Sequence, residues 1–169
     1  WSCADVFCSL ADNIQETFGI VPLEAMAAGL PVVVSDWDGY KDTVRDGIDG
    51  FRIPTLMPQE GLGLDLANRH ALKLDSYDVY CGLSCSLISV NIKATKNAFI
   101  ALFDSPDLRR RMGDAGRKRA KENFDWEKII LEYEKLWSEL NQVQKFSVKP
   151  MKPLFSSWPA RLDPFYAFR

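Results

Sequence analysis

ETFGIVPLEAMAAGLPVVVS, residues 16–35, contains the clearest indications of secondary structure in this 169-residue chain. Residues 22–28 are predicted to form a helix, because proline is favoured at the first helical position and Gly29 stands where a helix end prefers a left-handed residue. Pro31 then prevents the helix from continuing. The β-branched run at 31–35 is typical of a strand that is buried on both faces of a parallel sheet.

Short apolar segments on both sides extend this pattern. ADVFCSL at 4–10 and DGFRIP at 49–54 have strand character, and one or two helical turns are predicted at 41–45. The alternation of strands and helices predicts an α/β fold with a doubly wound sheet. Three strands are too few for a whole domain of that kind, and the chain starts at Trp1 rather than at methionine. We therefore expect residues 1–55 to be the second half of such a domain within a longer protein.

The region 56–145 is predicted to contain a loop or insertion, followed by helices that complete the domain. The predicted helices are 64–74, 88–103, 106–122 with Ser105 as N-cap, and 126–144, and we interpret 75–87 as loop or broken helix. The last helix carries apolar side chains on one face, which indicates a docking surface. The tail at 146–169, rich in proline and aromatic residues, is predicted to be an extended strap that packs on a missing N-terminal domain.

Composition excludes some classes of function. The formal net charge of -2 argues against a general nucleic-acid binder, and no run approaches the roughly eighteen apolar residues of a membrane span. The basic cluster at 109–121 has two interpretations, a solvated helix face or contact with a phosphate or an acidic membrane surface.

No metal site is predicted from the histidine and cysteine content. The cysteine spacings, C-x4-C and C-x3-C, are not the C-x2-C pairs of zinc ribbons, so we expect buried or half-buried free thiols. The single histidine, His70, lies in an ordinary helical context and is not expected to be catalytic.

Glu16 and Glu24 stand eight positions apart, and on one continuous helix they would lie about 12 Å apart and could not form a pair. If the helix starts near Pro22, Glu24 falls in its first turn, and Glu16 lies in the preceding loop, which Gly19 allows to turn sharply. Both carboxylates then flank a helix N-terminus at the C-terminal end of a parallel strand, where open α/β sheets bind ligands.

A helix N-terminus attracts anions, and an ionised carboxylate accepts hydrogen bonds from hydroxyl groups. A ligand with a central diphosphate and hydroxylated rings at both ends, such as a nucleotide sugar, matches this layout. The alternative is that Glu24 is only a glutamate favoured by the helix dipole, and Glu16 only a loop residue.

ETFGIVPLEAMAAGLPVV also resembles the E-x7-E signature of retaining glycosyltransferases with the GT-B fold, family 4 (glycosyl transferases group 1). ADVFCSL, SDWDGYKDTVRDGIDGFRIP and DLRRRMGDAGRKRAKENFDWEKIILEYEKLW are similar, in the same order, to that family's C-terminal, donor-binding domain. The resemblance implies the second half of a Rossmann-like GT-B C-terminal domain, followed by C-terminal helices and an extended tail.

The resemblance implies a role for each residue of the motif. Glu16 would be the catalytic residue, touching the donor sugar's hydroxyls near the reacting carbon, and Glu24 would hold the ribose hydroxyls. The donor-binding loop would run through Thr17, with the amides of Phe18 and Gly19 beside the sugar and those of Ile20 and Val21 on the diphosphate. Such enzymes generally need no metal and no cofactor; the DWD at 36–38 is interpreted as structural.

The implied activity is transfer of a sugar from a nucleotide-diphosphate sugar to a glycan or lipid-linked acceptor, with retention of anomeric configuration. The family's N-terminal domain and the basic pair that neutralises the departing diphosphate are missing from this chain, so we expect it to be inactive alone. A cytoplasmic location, with peripheral contact at the inner face of the membrane, is expected by analogy. The alternatives are a non-catalytic nucleotide-sugar-binding or interaction module and, more remotely, a GT-B nucleotide-sugar epimerase.

Overall fold

The computed structural model describes residues 1–146 of the chain. The chain divides into two units, Trp1–Ile129 and Ile130–Arg169, which are treated separately. The strands are β1 (Phe7–Ser9), β2 (Val32–Ser35), β3 (Gly50–Ile53), β4 (Thr55–Leu56) and β5 (Ser89–Val90). The helices are α1 (Ile20–Ala28), α2 (Tyr40–Thr43), α3 (Leu64–Ala71), α4 (Tyr77–Ser86), α5 (Ile92–Asp104), α6 (Pro106–Asn123) and α7 (Trp126–Phe146). None of the helices within 1–146 is both long enough and apolar enough to cross a membrane.

The main sheet has three parallel strands in the order β1-β2-β3. Val32 of the central strand lies opposite Phe7 on one side and Gly50 on the other. The strands at the two edges are shorter than predicted, but the α/β class and the parallel arrangement are confirmed. The division of the domain at residues 55 and 145 stays a prediction.

Strand β2 is buried on both faces, as its β-branched sequence predicts. Val32 and Val34 point into a core that α1, Tyr40 and Ala120 of α6 complete. Val33 points into a second core on the opposite face, together with side chains of α5 and α6. Because successive strand residues alternate between faces, four residues of β2 organise both layers of the domain.

Helix α1 begins two residues earlier than predicted, at Ile20, after a left-handed Gly19. Pro22 is therefore the third helical residue, a position that tolerates proline because the first helical amides have no partner within the helix. Glu24 lies in the second turn, not in the first turn as predicted. The predicted left-handed cap at Gly29 is confirmed, with φ 85°.

The basic cluster on α6 has a structural role that neither interpretation anticipated. Arg109, Arg117 and Arg119 donate hydrogen bonds to carbonyl oxygens at the C-terminal ends of α5, α1 and α2, respectively. The acceptors are Leu102 and Phe103 for Arg109 (2.5 and 3.1 Å), Ala28 for Arg117 (2.7 Å), and Asp42 and Thr43 for Arg119 (2.8 and 2.9 Å). Cations at these positions satisfy the orphan carbonyls and the negative end of each helix dipole.

The segment 75–90 differs most from the prediction. Residues 77–86 form helix α4 instead of a loop, and the Ser76 side chain accepts the Val79 amide as N-cap. Residues 89–90 pair with β4 in an antiparallel ribbon, so α5 starts at Ile92, behind an Asn91 cap, rather than at Ile88. Serine, cysteine and glycine are weak helix formers, which explains why α4 was missed: its cap and its packing on α3 override propensity.

The four cysteines are free, as predicted. Cys81 is buried and Cys85 half-buried, but the expectation of burial is wrong for Cys3 and Cys8, which are exposed. Both exposed cysteines lie on or before the edge strand β1, which has no further strand paired beyond it within residues 1–146.

Helix α7 runs two residues beyond its predicted end. From Ile130 onward its large apolar side chains are about half exposed or more. The rings of Tyr133 and Trp137 contact each other, with 5.9 Å between their centroids. The predicted tail lies outside the described residues, except for Phe146, which ends α7.

Candidate functional site

The loop between β1 and α1 and the first turns of α1 carry the predicted site residues, and the loop leaves the sheet at the C-terminal end of β1. The end of β2 and the turn after it fix this loop. The Ser35 hydroxyl donates to the Ala11 carbonyl oxygen, and the Trp37 indole N–H donates to the Asn13 carbonyl oxygen at 2.9 Å. The Glu16 amide also bonds to the Asn13 carbonyl, at 3.0 Å. Glu16 therefore stands on a backbone that is held at several points.

Tyr40, which is 2% exposed, supports the Glu16 carboxylate directly. Its hydroxyl donates to Glu16 Oε2 at 3.4 Å and lies 2.8 Å from Ser9 Oγ. Since one hydroxyl carries one proton, Ser9 donates to Tyr40 while Tyr40 donates to Glu16. Burial raises the pKa of Tyr40, and the charge of Glu16 raises it further, against a lowering by the Ser9 bond. The phenol therefore keeps its proton and remains a donor at neutral pH.

Two glycines allow the segment after β2 to lie against this loop. A Cβ on Gly39 would overlap backbone atoms of Thr17 and Phe18, and a Cβ on Gly19 would overlap the Tyr40 ring. Gly19 has φ 77° and ψ 79°, a left-handed conformation that glycine adopts without steric cost. The sharp turn predicted at Gly19 is confirmed.

The N-terminus of α1 is open to a ligand. No side chain among residues 1–146 caps it, so the first amides, those of Ile20 and Val21, lack a side-chain acceptor. Both side chains are about half exposed or more. Phe18 is also partly exposed, with its ring edge-to-face against Phe124 at 6.1 Å. The turn therefore presents free N–H groups beside the Glu16 loop, which suits an anion.

Glu24 is exposed on α1, one turn after Ile20. Helical side chains lean toward the N-terminus, so the Glu24 carboxylate is directed back along the face that Ile20 begins. The structure thus brings the residues from Glu16 to Val21 together at one loop–helix junction and places Glu24 one turn further along the same helix.

Sequence reasoning missed the residues that support this junction: Ser9, Asn13, Trp37, Gly39 and Tyr40. The available signal was the Gly39-Tyr40 pair just after β2, because the carboxyl ends of neighbouring parallel strands meet at one sheet edge. Within residues 1–146, no three His, Cys, Asp or Glu side chains are grouped so as to hold a metal ion. That no metal is needed stays a prediction.

Replacing Tyr40 by phenylalanine is expected to lower the free energy of unfolding by about 1 kcal/mol. The reason is the loss of a hydroxyl that bonds Ser9 at 2.8 Å and the Glu16 carboxylate at 3.4 Å. Ser9→Ala should have a smaller effect. The matched control is Tyr77→Phe on the exposed surface, and equal unfolding free energies of Tyr40→Phe and this control, measured with urea, would contradict the supporting role of the Tyr40 hydroxyl.

Residues 2–60 match the family described as glycosyl transferases group 1. The phosphatidyl-myo-inositol mannosyltransferase of Mycobacterium leprae is 56% identical over 52 residues, which are 30% of this chain and 13% of that protein. The alpha-maltose-1-phosphate synthase of Mycolicibacterium smegmatis is 30% identical over 128 residues, which are 76% of this chain and 25% of that protein.

A solved structure is similar over most of the chain. The sucrose-phosphate synthase from Thermosynechococcus elongatus matches with a TM-score of 0.59 and 27% sequence identity, covering 84% of this chain and 27% of that one. The chain spans less than a third of the length of each of these three proteins.

Proposed function

We propose, on the premise that this chain is part of a glycosyltransferase with the GT-B fold, that it supplies one side of a nucleotide-diphosphate sugar site. In the full-length protein, that site transfers a sugar to a hydroxyl of a glycan or lipid-linked acceptor, with retention of anomeric configuration. The reaction uses neither a metal nor a cofactor. It takes place in the cytoplasm, with peripheral contact at the inner face of the membrane when the acceptor is a lipid.

The observation that carries this proposal is the junction of the Glu16 loop with the uncapped N-terminus of α1. A diphosphate accepts hydrogen bonds from the amides of Ile20 and Val21 and gains from the positive end of the helix dipole. The carboxylates of Glu16 and Glu24 would repel that diphosphate if they were aimed at it. Each carboxylate is instead suited to a hydroxylated ring that is attached to the diphosphate.

The two glutamates have different tasks in this proposal. Glu16, held by Tyr40, faces the sugar and stabilises positive charge that develops at the reacting carbon, so it acts mainly in the transition state. Glu24, exposed one turn along α1, binds the ribose hydroxyls equally in the ground state and the transition state. Thr17, Phe18 and Gly19 line the sugar between them.

The rest of the site belongs to other parts of the full-length protein. Departure of a nucleoside diphosphate needs cations beside it, and no lysine or arginine is hydrogen-bonded to the 16–21 loop within residues 1–146. The N-terminal domain would supply most of the acceptor pocket, and a basic pair that precedes β1 would supply that neutralisation. The 169-residue chain alone is accordingly expected to be inactive.

Two substitutions in the full-length protein test the division of roles. Glu24→Ala is expected to weaken nucleotide binding about tenfold, the loss of one or two charge-assisted hydrogen bonds. Glu16→Ala is expected to lower kcat about a hundredfold or more while nucleotide affinity changes little. Calorimetric titration with the nucleoside diphosphate and steady-state rates with the nucleotide sugar measure the two effects.

The matched control is Glu60→Ala, at an exposed loop position remote from the junction in sequence. Unchanged binding and unchanged rates in both glutamate variants would contradict the site assignment. Tight nucleotide-sugar binding without turnover in the wild-type protein would favour the non-catalytic binding module instead.

A further inference from the structure

A cavity of about 380 Å³ lies beside the Glu16 loop and is not used by the proposed donor site. Its walls come from Ile14 of that loop, the turn Asp36-Trp37-Asp38 after β2, Lys41 of α2, and Thr55 and Met57. The volume is at the lower end of the range for small-molecule sites and suits a single sugar ring better than a nucleotide. The turn, which sequence analysis interpreted as structural, supplies three of the lining residues.

The side chain of Trp37 is fixed and offers a carbon surface. Its only polar atom, Nε1, is already bonded to the Asn13 carbonyl at 2.9 Å. What the indole can give to a ligand is therefore its apolar ring surface. The C–H groups on one face of a pyranose ring are complementary to such a surface, because they are polarised positively and an aromatic face is negative.

Both carboxylates of the turn can offer an oxygen to a ligand. Asp36 Oδ1 is buried and forms an ion pair with Arg52 Nε at 3.5 Å, but the Asp36 side chain is 40% exposed, which leaves its second oxygen for a ligand. Asp38 is exposed and has φ 33°, a rare conformation for a residue other than glycine. Backbone strain of this kind is concentrated at ligand sites, and here it presents a carboxylate at the rim of the cavity.

The balance of charge favours a neutral ligand with hydroxyl groups. Two carboxylates at the wall disfavour a phosphate, and the ammonium of Lys41 disfavours a metal cation. Hydroxyl groups donate to carboxylates and accept from an ammonium, so a sugar satisfies both kinds of group.

The cavity is close to the reacting centre of the donor site. Ile14 and Glu16 are two positions apart, so their Cα atoms are separated by at most about 7 Å. Trp37 and Tyr40 belong to one turn and contact the same loop at Asn13 and Glu16, respectively. The cavity therefore adjoins the loop that carries Glu16.

We propose that this cavity is a subsite for a neutral sugar ring of the acceptor, with Trp37 as its stacking surface and Asp36 and Asp38 as its hydrogen-bond acceptors. The inference rests on the proposed function, since an acceptor exists only if sugar transfer does. It adds the chemical class of the acceptor, a glycan or a glycolipid that presents a sugar next to the hydroxyl that reacts.

The first test measures binding of methyl α-D-mannopyranoside and methyl α-D-glucopyranoside to the full-length protein by saturation-transfer NMR. At least one glycoside should bind, with the ring protons of one face saturated most strongly. Trp37→Ala is expected to weaken binding about tenfold, and Trp37→Phe, which keeps a ring but loses the bond to Asn13, should largely keep it. Trp126→Ala, at a 72% exposed tryptophan, is the control.

A second variant protects the test against misfolding of Trp37→Ala. Asp38→Asn removes a charge at an exposed position and should weaken glycoside binding several-fold, whereas Asp104→Asn, also exposed, should not. Neither substitution should change affinity for the nucleoside diphosphate. Absence of binding of both glycosides, or equal binding by wild type, Trp37→Ala and Asp38→Asn, would overturn the proposal.

Competition distinguishes this proposal from the function on which it rests. Displacement of the glycoside by a nucleotide sugar would place the bound ring in the donor site and would also overturn the acceptor subsite. Glycoside binding that depends on Trp37, in a protein that binds no nucleoside diphosphate, would refute the proposed function but leave a sugar-binding cavity.

Discussion

Replacing Gly19 by alanine is expected to abolish measurable nucleotide-sugar binding and to lower the free energy of unfolding by about 2–4 kcal/mol. A non-glycine residue at φ 77° costs about 1–2 kcal/mol. The new Cβ would also lie within 2.6 Å of Tyr40 Cδ1, and overpacking of this kind costs about 1–3 kcal/mol more. Because Gly19 precedes the first helical amides and Tyr40 holds Glu16, relief of the clash moves both halves of the site.

The matched control is Gly47→Ala. Gly47 has φ 72°, close to that of Gly19, but a Cβ there would meet nothing within 4 Å. Its loss of stability measures the backbone cost alone, about 1 kcal/mol, with no effect on binding. Thermal unfolding of the two variants separates the backbone cost from the cost of the clash with Tyr40, and calorimetric titration shows which of the two affects binding. If Gly19→Ala behaved like Gly47→Ala in both measurements, the close approach of Gly19 to Tyr40 would not matter for the site.

Replacing Asp49 by alanine is expected to cost about 3 kcal/mol of folding free energy. The side chain is fully buried and accepts three hydrogen bonds from Arg45, from its amide at 3.1 Å, Nε at 2.9 Å and Nη2 at 2.6 Å. Asp49 in turn raises the pKa of Arg45, chiefly through the side-chain hydrogen bond. The backbone carbonyl of Asp49 accepts the Val32 amide at 3.4 Å, so we expect the substitution to disturb the central strand as well.

Removal of the Asp49 carboxylate leaves the Arg45 amide without its acceptor and a cavity beneath Arg119, whose Nε lies 3.9 Å from Asp49 Oδ2. Since the Arg45 side chain is 43% exposed, its guanidinium can be rehydrated, which places the cost at the lower end of the range for broken buried pairs. Asp49→Asn, which keeps one acceptor oxygen, should lose less than Asp49→Ala.

Urea unfolding measures these differences, and the melting temperature should fall by about 6–12 °C for Asp49→Ala. The control is Glu122→Gln, which breaks the exposed 3.9 Å pair with Lys118 and should cost at most about 0.5 kcal/mol. A loss of less than 1 kcal/mol in Asp49→Ala would contradict the structural role assigned to the buried carboxylate.

Gly19→Ala acts through a contact with Tyr40, which is distant in the sequence, whereas Asp49 and Arg45 are four positions apart. Contacts of the first kind could not be predicted from the sequence. Helix α1, strand β2 and the left-handed cap at Gly29 were predicted from local rules, because proline, glycine and β-branched residues constrain their own backbone. The N-cap at Ser105 was predicted for the same reason. In contrast, Tyr40 has no local feature that indicates its bond to Glu16, 24 positions away.

The differences from prediction have the same origin. Helix α4 lacks strong helix formers and depends on its Ser76 cap and on packing against α3, so its local composition indicated a loop or a broken helix. The basic cluster of α6 is mostly exposed, as a solvated helix face should be, but charge alone did not indicate that three of its arginines cap helices up to 89 positions away. Propensity and charge patterns describe neighbours along the chain and carry no information about such partners.

The α/β class, the parallel strands, and a motif with Glu16 and Glu24 around a helix start could all be predicted from residue types and short spacings. The groups that support this motif became identifiable only in the folded chain: the Ser9–Tyr40–Glu16 hydrogen bonds, the close approach of Gly39 to the loop, and the cavity beside Trp37. Parallel strands bring their C-terminal loops to one sheet edge. Contacts there depend on sheet register and helix packing, not on separation along the chain.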